Sequence, residues 1–263
     1  MTSNRELNED LRYAAGIYSL NRVKELVEKG ADCKASDYHG DTPLHYAAES
    51  GELEKVRYLV EEKGCDVTAI NKSGSTPLHR AARWCSLEIV KYLVDKGANF
   101  KIGIEYGKTP FHEAATGGNV DIVKYFMEKG FDLKATENGS LTPLNKAAHY
   151  GNLEVLKYLV EKGANINVTN KGGCSALHSA AGEGHLKIVQ YLVENGANLN
   201  INHIWNGTPL HFAAKDGKLD VVKYLIEKGA DFRAISNDGA TPLSLATKEG
   251  HLDIVKYIME KGA

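Results

Sequence analysis

Apolar side chains at Leu219, Val222, Leu225 and Ile226 follow the i, i+3, i+6, i+7 spacing of one helix face. Just upstream, Gly207-Thr208-Pro209-Leu210-His211-Phe212-Ala213-Ala214 predicts a shorter helix. Thr208 takes the N-cap, its hydroxyl placed for an orphan amide of the first turn, and Pro209 the first helical position, where a missing N–H costs nothing. Gly217 can adopt the left-handed conformation that stops this helix. Lys228-Gly229 closes the second, with the lysine in the dipole of the last turn. The unit is a helix–turn–helix hairpin.

The hairpin recurs. Its Thr-Pro position returns at Thr42-Pro43, Thr76-Pro77, Thr109-Pro110, Thr142-Pro143, Ser175-Ala176, Thr208-Pro209 and Thr241-Pro242, spaced 34 residues once and 33 thereafter. So strict a period marks stacked repeats, none of which buries its own apolar face. With Asp37-Tyr38-His39-Gly40-Asp41-Thr42-Pro43-Leu44-His45 the pattern becomes specific. The chain resembles the ankyrin repeat proteins, over essentially its whole length. The resemblance implies an all-α solenoid of eight stacked helix–turn–helix units with β-turn fingers, forming a single domain over 1–263. Its N-terminal capping repeat is 4–36. The internal repeats are 37–70, 71–103, 104–136, 137–169, 170–202 and 203–235, and the C-terminal repeat is 236–263.

Several units depart from the pattern. The first keeps Leu11, Ala14, Ala15, Val23 and Leu26 inward and carries Arg5, Glu6, Glu9, Asp10 and Arg12, as a cap with one wet face needs. Repeat two has one extra residue between Val60 and Gly64, to be absorbed at a helix end. In repeat three Cys85 stands in the glycine slot, so the turn differs there or Cys85 is left-handed. Irregular fingers precede Thr109, Thr142 and Thr208, which suggests that these tips serve something besides stability. In the last unit Ser244 and Thr247 are cap-like while Leu252, Val255, Ile258 and Met259 keep an apolar face. It is read as a natural cap, with a trimmed array as the alternative.

Composition narrows the class. With 25% charged and 43% hydrophobic residues the chain is neither disordered nor membranous. A net charge of −2 gives no reason to expect nucleic acid or an anionic membrane as partner. No apolar run approaches the length of a membrane span, and the polar Met1-Thr2-Ser3-Asn4 start has no signal core. Cys33, Cys65, Cys85 and Cys174 fall in four repeats with no Cys-x-x-Cys pair. They predict reduced thiols in a cytoplasmic protein.

The sequence predicts no enzyme, no cofactor and no metal. His45, His79, His112, His178 and His211 form a column, but stacked helices lie roughly 8–10 Å apart, too far to share an ion whose nitrogens sit about 2.1 Å away. The family resemblance implies instead that these histidines tie a helix to adjacent backbone. No phosphate loop, nucleophile elbow or paired carboxylates emerge. In ankyrin repeat proteins the fingers and first helices line a concave groove. Mapping the free slots gives as partner-binding residues Tyr38, His39, Asp41, Tyr46, Arg80, Arg83, Trp84, Glu105, Tyr106, Lys108, Glu113, Lys146, Tyr150, Trp205 and Phe212. Both tryptophans fall here. Trp, Tyr and Arg dominate binding energy at interfaces, so binding is preferred to the alternative that they fill gaps in irregular repeats. Tyr58, Tyr92, Tyr125, Tyr158, Tyr191, Tyr224 and Tyr257 recur on second helices as packing residues with solvated hydroxyls. The expected function is non-catalytic protein–protein interaction by a monomer. The alternatives are a regulatory or targeting part of a longer enzyme, channel or effector, or an engineered scaffold. Asn167 and Asn200 resemble sites of asparaginyl hydroxylation in ankyrin repeats, though turn formation is the simpler role.

Overall fold

A computed structural model describes residues 3–84, 86–101, 103, 107–133, 141–204 and 207–262. The expectations placed on Cys85, Glu105, Tyr106 and Trp205 lie outside the described residues. The chain divides into two compact units, Met1–Asp132 and Leu133–Ala263.

The first unit holds α1 (Asn4–Ile17), α2 (Leu20–Glu28), α3 (Pro43–Ser50), α4 (Leu53–Arg57), α5 (Pro77–Trp84), α6 (Leu87–Asp95), α7 (Pro110–Gly117) and α8 (Val120–Glu128). Each odd helix pairs with the even helix after it, and α1, α3, α5 and α7 pack in succession. Leu11, Leu44, Leu78 and Phe111 occupy one slot of four successive first helices and are fully buried, each worth about 1.5–3 kcal/mol. Phe111 stacks on Phe131 with ring centroids 4.2 Å apart. Close approach is built in at Gly117, where an added Cβ would run into the Arg83 carbonyl oxygen.

The extra residue of repeat two is absorbed locally. After α4 the helix continues as a π-helical turn, Tyr58–Glu62, the usual form of a one-residue insertion. Elsewhere the closing bond spans five residues, as in Ala31 N–H to Leu26 O (3.0 Å) and Ala98 N–H to Leu93 O (2.9 Å). Here Cys65 N–H reaches Leu59 O at 2.9 Å, six residues back. The same closure is kept with one residue more.

The second unit holds α9 (Pro143–His149), α10 (Leu153–Glu161), α11 (Ala176–Glu183), α12 (Leu186–Glu194), α13 (Pro209–Lys215), α14 (Leu219–Glu227), α15 (Pro242–Glu249) and α16 (Leu252–Glu260). First helices α9, α11, α13 and α15 pack in one row and second helices α10, α12, α14 and α16 in another. All the regular elements among the described residues are helices; the fold is all-α.

The Thr-Pro-Leu-His block works through its histidine. In repeat two the Thr42 N–H donates to His45 Nδ1 (3.1 Å), and the Thr42 hydroxyl lies 3.0 Å from the same nitrogen. At Thr208, which forms a capping box with His211, the hydroxyl also lies 2.9 Å from His211 Nδ1. With Nδ1 accepting, Nε2 carries the proton and donates across to the next finger: His45 to Ser75 O (3.0 Å), His178 to Gly207 O (3.1 Å), His211 to Ala240 O (3.2 Å). One side chain thus caps its own helix and fastens the neighbour. A second ladder runs through unit two, from His185 to His149 O (2.9 Å) and from His251 to Lys215 O (3.0 Å).

Asn145 does half of this job. Its Oδ1 accepts from the Thr142 N–H (3.1 Å) and hydroxyl (2.6 Å), but its buried Nδ2 has no partner. The shorter amide does not span to the next finger. Asn145→His should restore that bond, to the Cys174 carbonyl, and remove an orphan donor worth about 1–3 kcal/mol. A higher unfolding midpoint in urea is expected; a lower one would mean that the imidazole does not fit this repeat.

The periodic tyrosines pack as expected, but their hydroxyls are not uniformly solvated. Tyr92 donates to Glu61 (3.2 Å), and the hydroxyl oxygens of Tyr224 and Tyr257 are shielded from water without a protein partner. The lysine four residues on lies over the ring: Lys96 at 5.5 Å from the Tyr92 centroid, Lys228 at 5.5 Å from Tyr224, Lys261 at 5.3 Å from Tyr257. The recurring Lys-Gly therefore also supplies a cation–π contact.

Candidate interaction surface

Fingers in unit one are shaped by side chains that mimic backbone. Asp37 Oδ1 accepts from the His39 and Asp41 amides (2.8 and 2.9 Å), and Asn71 Oδ1 from Ser73 and Ser75 (3.0 and 2.8 Å). Successive fingers join through the Lys72 N–H and the His39 carbonyl at 2.9 Å. Gly40 sits at φ +85°, and an added Cβ would stand 2.9 Å from the Lys72 nitrogen. Only glycine suits both demands.

On this frame the predicted residues separate into two kinds. Asp41 and Glu113, expected at a partner surface, are buried instead. Asp41 accepts from Arg80 Nη2 (2.8 Å) and Asn71 Nδ2 (2.9 Å). Arg80 also binds Glu49 (3.0 Å). Glu113 is held by Lys108 (2.6 Å) and Arg83 (3.4 Å). These carboxylates fold under basic side chains, Arg80 and Arg83 from a neighbouring repeat and Lys108 from the finger of Glu113's own repeat, and hold them in place. Tyr46, half-buried, donates to Asp37 Oδ2 at 2.7 Å. Its phenol is pushed up to about 12 by burial and by the Asp37 carboxylate.

The exposed kind is aromatic. Trp84 is 55% exposed and Tyr38 82%. Trp84 therefore does not fill a gap in its repeat; its ring lies 6.0 Å from the Arg83 guanidinium carbon. Lys72 covers Tyr38 at 4.1 Å, and His39 stands exposed beside it. The capping repeat also presents Tyr13 and Ile17, each 59% exposed, and exposed Tyr18. Tyr13 shares the column of Tyr46 and Arg80, and Ile17 that of Ser50 and Trp84.

Unit two brings together a more polar set. Tyr150 is exposed and meets His149 edge-on at 4.7 Å; His149 in turn pairs with Glu183 at 3.2 Å. Phe212 lies edge-on to His178 (5.0 Å) and His203 (5.6 Å). Phe212, Lys215, Asp216, Asp238, Lys248 and Glu249 line a cavity of about 170 Å³ in which acid and base alternate. Lys146 is half-buried on α9. Asn167 and Asn200 have structural jobs: Asn167 Oδ1 accepts from the Asn198 amide (2.8 Å) and its Nδ2 donates to Gly196 O (3.1 Å). Asn200 Oδ1 accepts from the Asp231 amide (3.1 Å). Among the described residues no cluster of three His, Cys, Asp or Glu is arranged to hold a metal, and no helix is long and apolar enough to cross a membrane.

Fold and surface define a class: stacked helical hairpins that present side chains from first helices and finger turns. The chain belongs to the ankyrin repeat family. The family profile described as ankyrin repeats (3 copies) matches residues 11–104, 68–137, 111–203 and 177–263. Two proteins of Rickettsia felis named as ankyrin repeat proteins are similar to parts of it. One is 42% identical over 53 residues, which is 20% of this chain and 80% of that protein. The other is 42% identical over 50 residues, 19% of this chain and 79% of its own length. Ankyrin repeats are generally non-catalytic modules that bind other proteins.

Proposed function

We propose that this protein recognises a partner protein through the first-helix and finger face of its first unit. The observation that carries this reading is the run of exposed Tyr13, Ile17, Tyr38 and Trp84 beside arginines already oriented by buried carboxylates. An arginine held in place loses little freedom when it binds, and aromatic anchors supply most of the energy. Tyr46, His39 and Lys108 belong to the same face. Tyr150, Lys146 and Phe212 are proposed as a second contact region on unit two, and Glu105, Tyr106 and Trp205 remain proposed contacts by their slots alone. The protein acts as a cytoplasmic, monomeric, non-catalytic binding module for protein rather than nucleic acid, and the repeat boundaries given above are its working division.

Wild type and a Trp84→Ala/Tyr38→Ala variant, first shown to melt alike, should be compared for partner capture from lysate. The affinity of the captured partner would then be measured. Loss of the partner, with roughly thirtyfold weaker binding for about 2 kcal/mol at an aromatic anchor, is expected. Equal capture by both would remove this face from the reading.

A further inference from the structure

One repeat junction brings two thiols together. Cys65 follows the glycine that closes a second helix, a slot held by Ala31, Ala98, Ala164 and Ala230 in other repeats. Cys33 lies two residues beyond the corresponding slot of the first repeat, where Val67, Ile166 and Leu199 stand elsewhere. Stacking sets these slots against each other. The Cys65 thiol donates to the Cys33 carbonyl at 3.2 Å. Cys33 Sγ lies 3.9 Å from the Lys63 carbonyl. Both cysteines are free, and both line one cavity of about 160 Å³ bordered by Lys34 and Asp66. Neither slot needs sulfur for packing, since alanine and aliphatic residues serve in the other repeats.

We propose that Cys33 and Cys65 form a redox-active dithiol, which a small disulfide oxidant of the glutathione-disulfide class converts into an intramolecular bridge between the first two repeats. One protein thiolate attacks the oxidant's S–S bond, expelling one reduced thiol and leaving a mixed disulfide. The second protein sulfur, as thiolate, displaces the remaining half. The two protein thiols give up two electrons and two protons, and the oxidant leaves as two thiols. Burial and the neighbouring Cys33 push the Cys65 thiol up, while the Lys34 ammonium pulls the other way. Bridge formation therefore accelerates with rising pH. The reduced pair is the starting state. Its closure staples residues 32 apart in sequence, a loop long enough for a cross-link to raise the melting temperature by several degrees.

The full chain, treated with oxidised glutathione and digested without reductant, should yield a peptide linking Cys33 to Cys65. Intact mass should fall by two hydrogens with no glutathione retained at either site, and dithiothreitol should reverse both changes. Cys65→Ala and Cys33→Val place residues that other repeats already use in these slots. Each variant should fold, lose the linked peptide and melt at the same temperature with or without oxidant. Recovery of wild-type Cys33 and Cys65 as free thiols, as separate glutathione adducts or in links between chains would overturn the proposal.

Discussion

Acidification is expected to destabilise this protein steeply between pH 6.5 and about 4, beginning above the range in which carboxylates ordinarily protonate. His178 is buried, and its imidazole is pushed down from the ordinary 6.5 to about 4, chiefly by burial, with its neighbours His203 and His211 acting in the same direction. Burial also lowers His211 and His45, the latter despite the Asp41 carboxylate 4.0 Å away. Each is neutral in the fold because Nδ1 must accept from the cap while Nε2 donates to the next finger. Below pH 6.5 the unfolded chain binds protons that the folded chain refuses, so stability falls as pH falls. The contribution of a depressed histidine is complete above 6.5 and lost by about 4. For His178 alone this is about 2 kcal/mol at pH 5 and about 3 kcal/mol at pH 4. Urea unfolding at pH 7.5 and pH 5.0 should therefore give clearly different midpoints, and His178→Gln should weaken that dependence while lowering stability at both. An unchanged midpoint between these pH values would show that the histidines titrate normally in the fold.

The hairpins were legible because their signals are local and repeated. Thr-Pro, the capping nitrogen of the histidine three residues into the block and the closing glycines each act within one turn, and the 33-residue period carries the stacking. What escaped depends on contacts between repeats. Asp41 and Glu113 occupy slots that face outward by counting, yet Arg80 and Arg83 reach over them from an adjoining repeat. No spacing rule within one repeat reveals that reach. The cysteines present the same case: four repeats with one cysteine each look like isolated thiols, until the register sets slot 33 of one hairpin against slot 65 of the next. The exposure of Trp84 was legible because its slot lies outside the repeated core pattern. Tyr13 and Ile17 were missed because the capping repeat was read only for what makes it a cap.

Lys55 was missed for a different reason, and replacing it should have one of the larger effects on stability. In a chain so rich in solvated lysines it drew no notice, yet it is fully buried, in the slot that Ile89 and Ile122 fill in the next two repeats. Its ammonium reaches the Ala15 carbonyl at 3.3 Å and Glu52 at 3.0 Å. The cause lies in α1. That helix ends at Tyr18 in extended backbone rather than on the left-handed glycine that closes α3 or α11. Its last-turn carbonyls therefore need donors from elsewhere, and a cation at that end also suits the helix dipole. Two terms compete. The three methylenes lost in Lys55→Ala are worth about 0.8 kcal/mol each before any cavity term, so this variant should lose about 3 kcal/mol. The ammonium's own bonds are offset by the cost of taking a charge out of water, and one of its partners, the Glu52 carboxylate, is half exposed. Lys55→Met keeps the length and apolar stem and should therefore stay within about 1 kcal/mol of wild type. Urea titration of both variants decides between stem and charge. If Met falls as far as Ala, the capping bond to Ala15 outweighs desolvation, and the charge rather than the stem carries the contribution of Lys55.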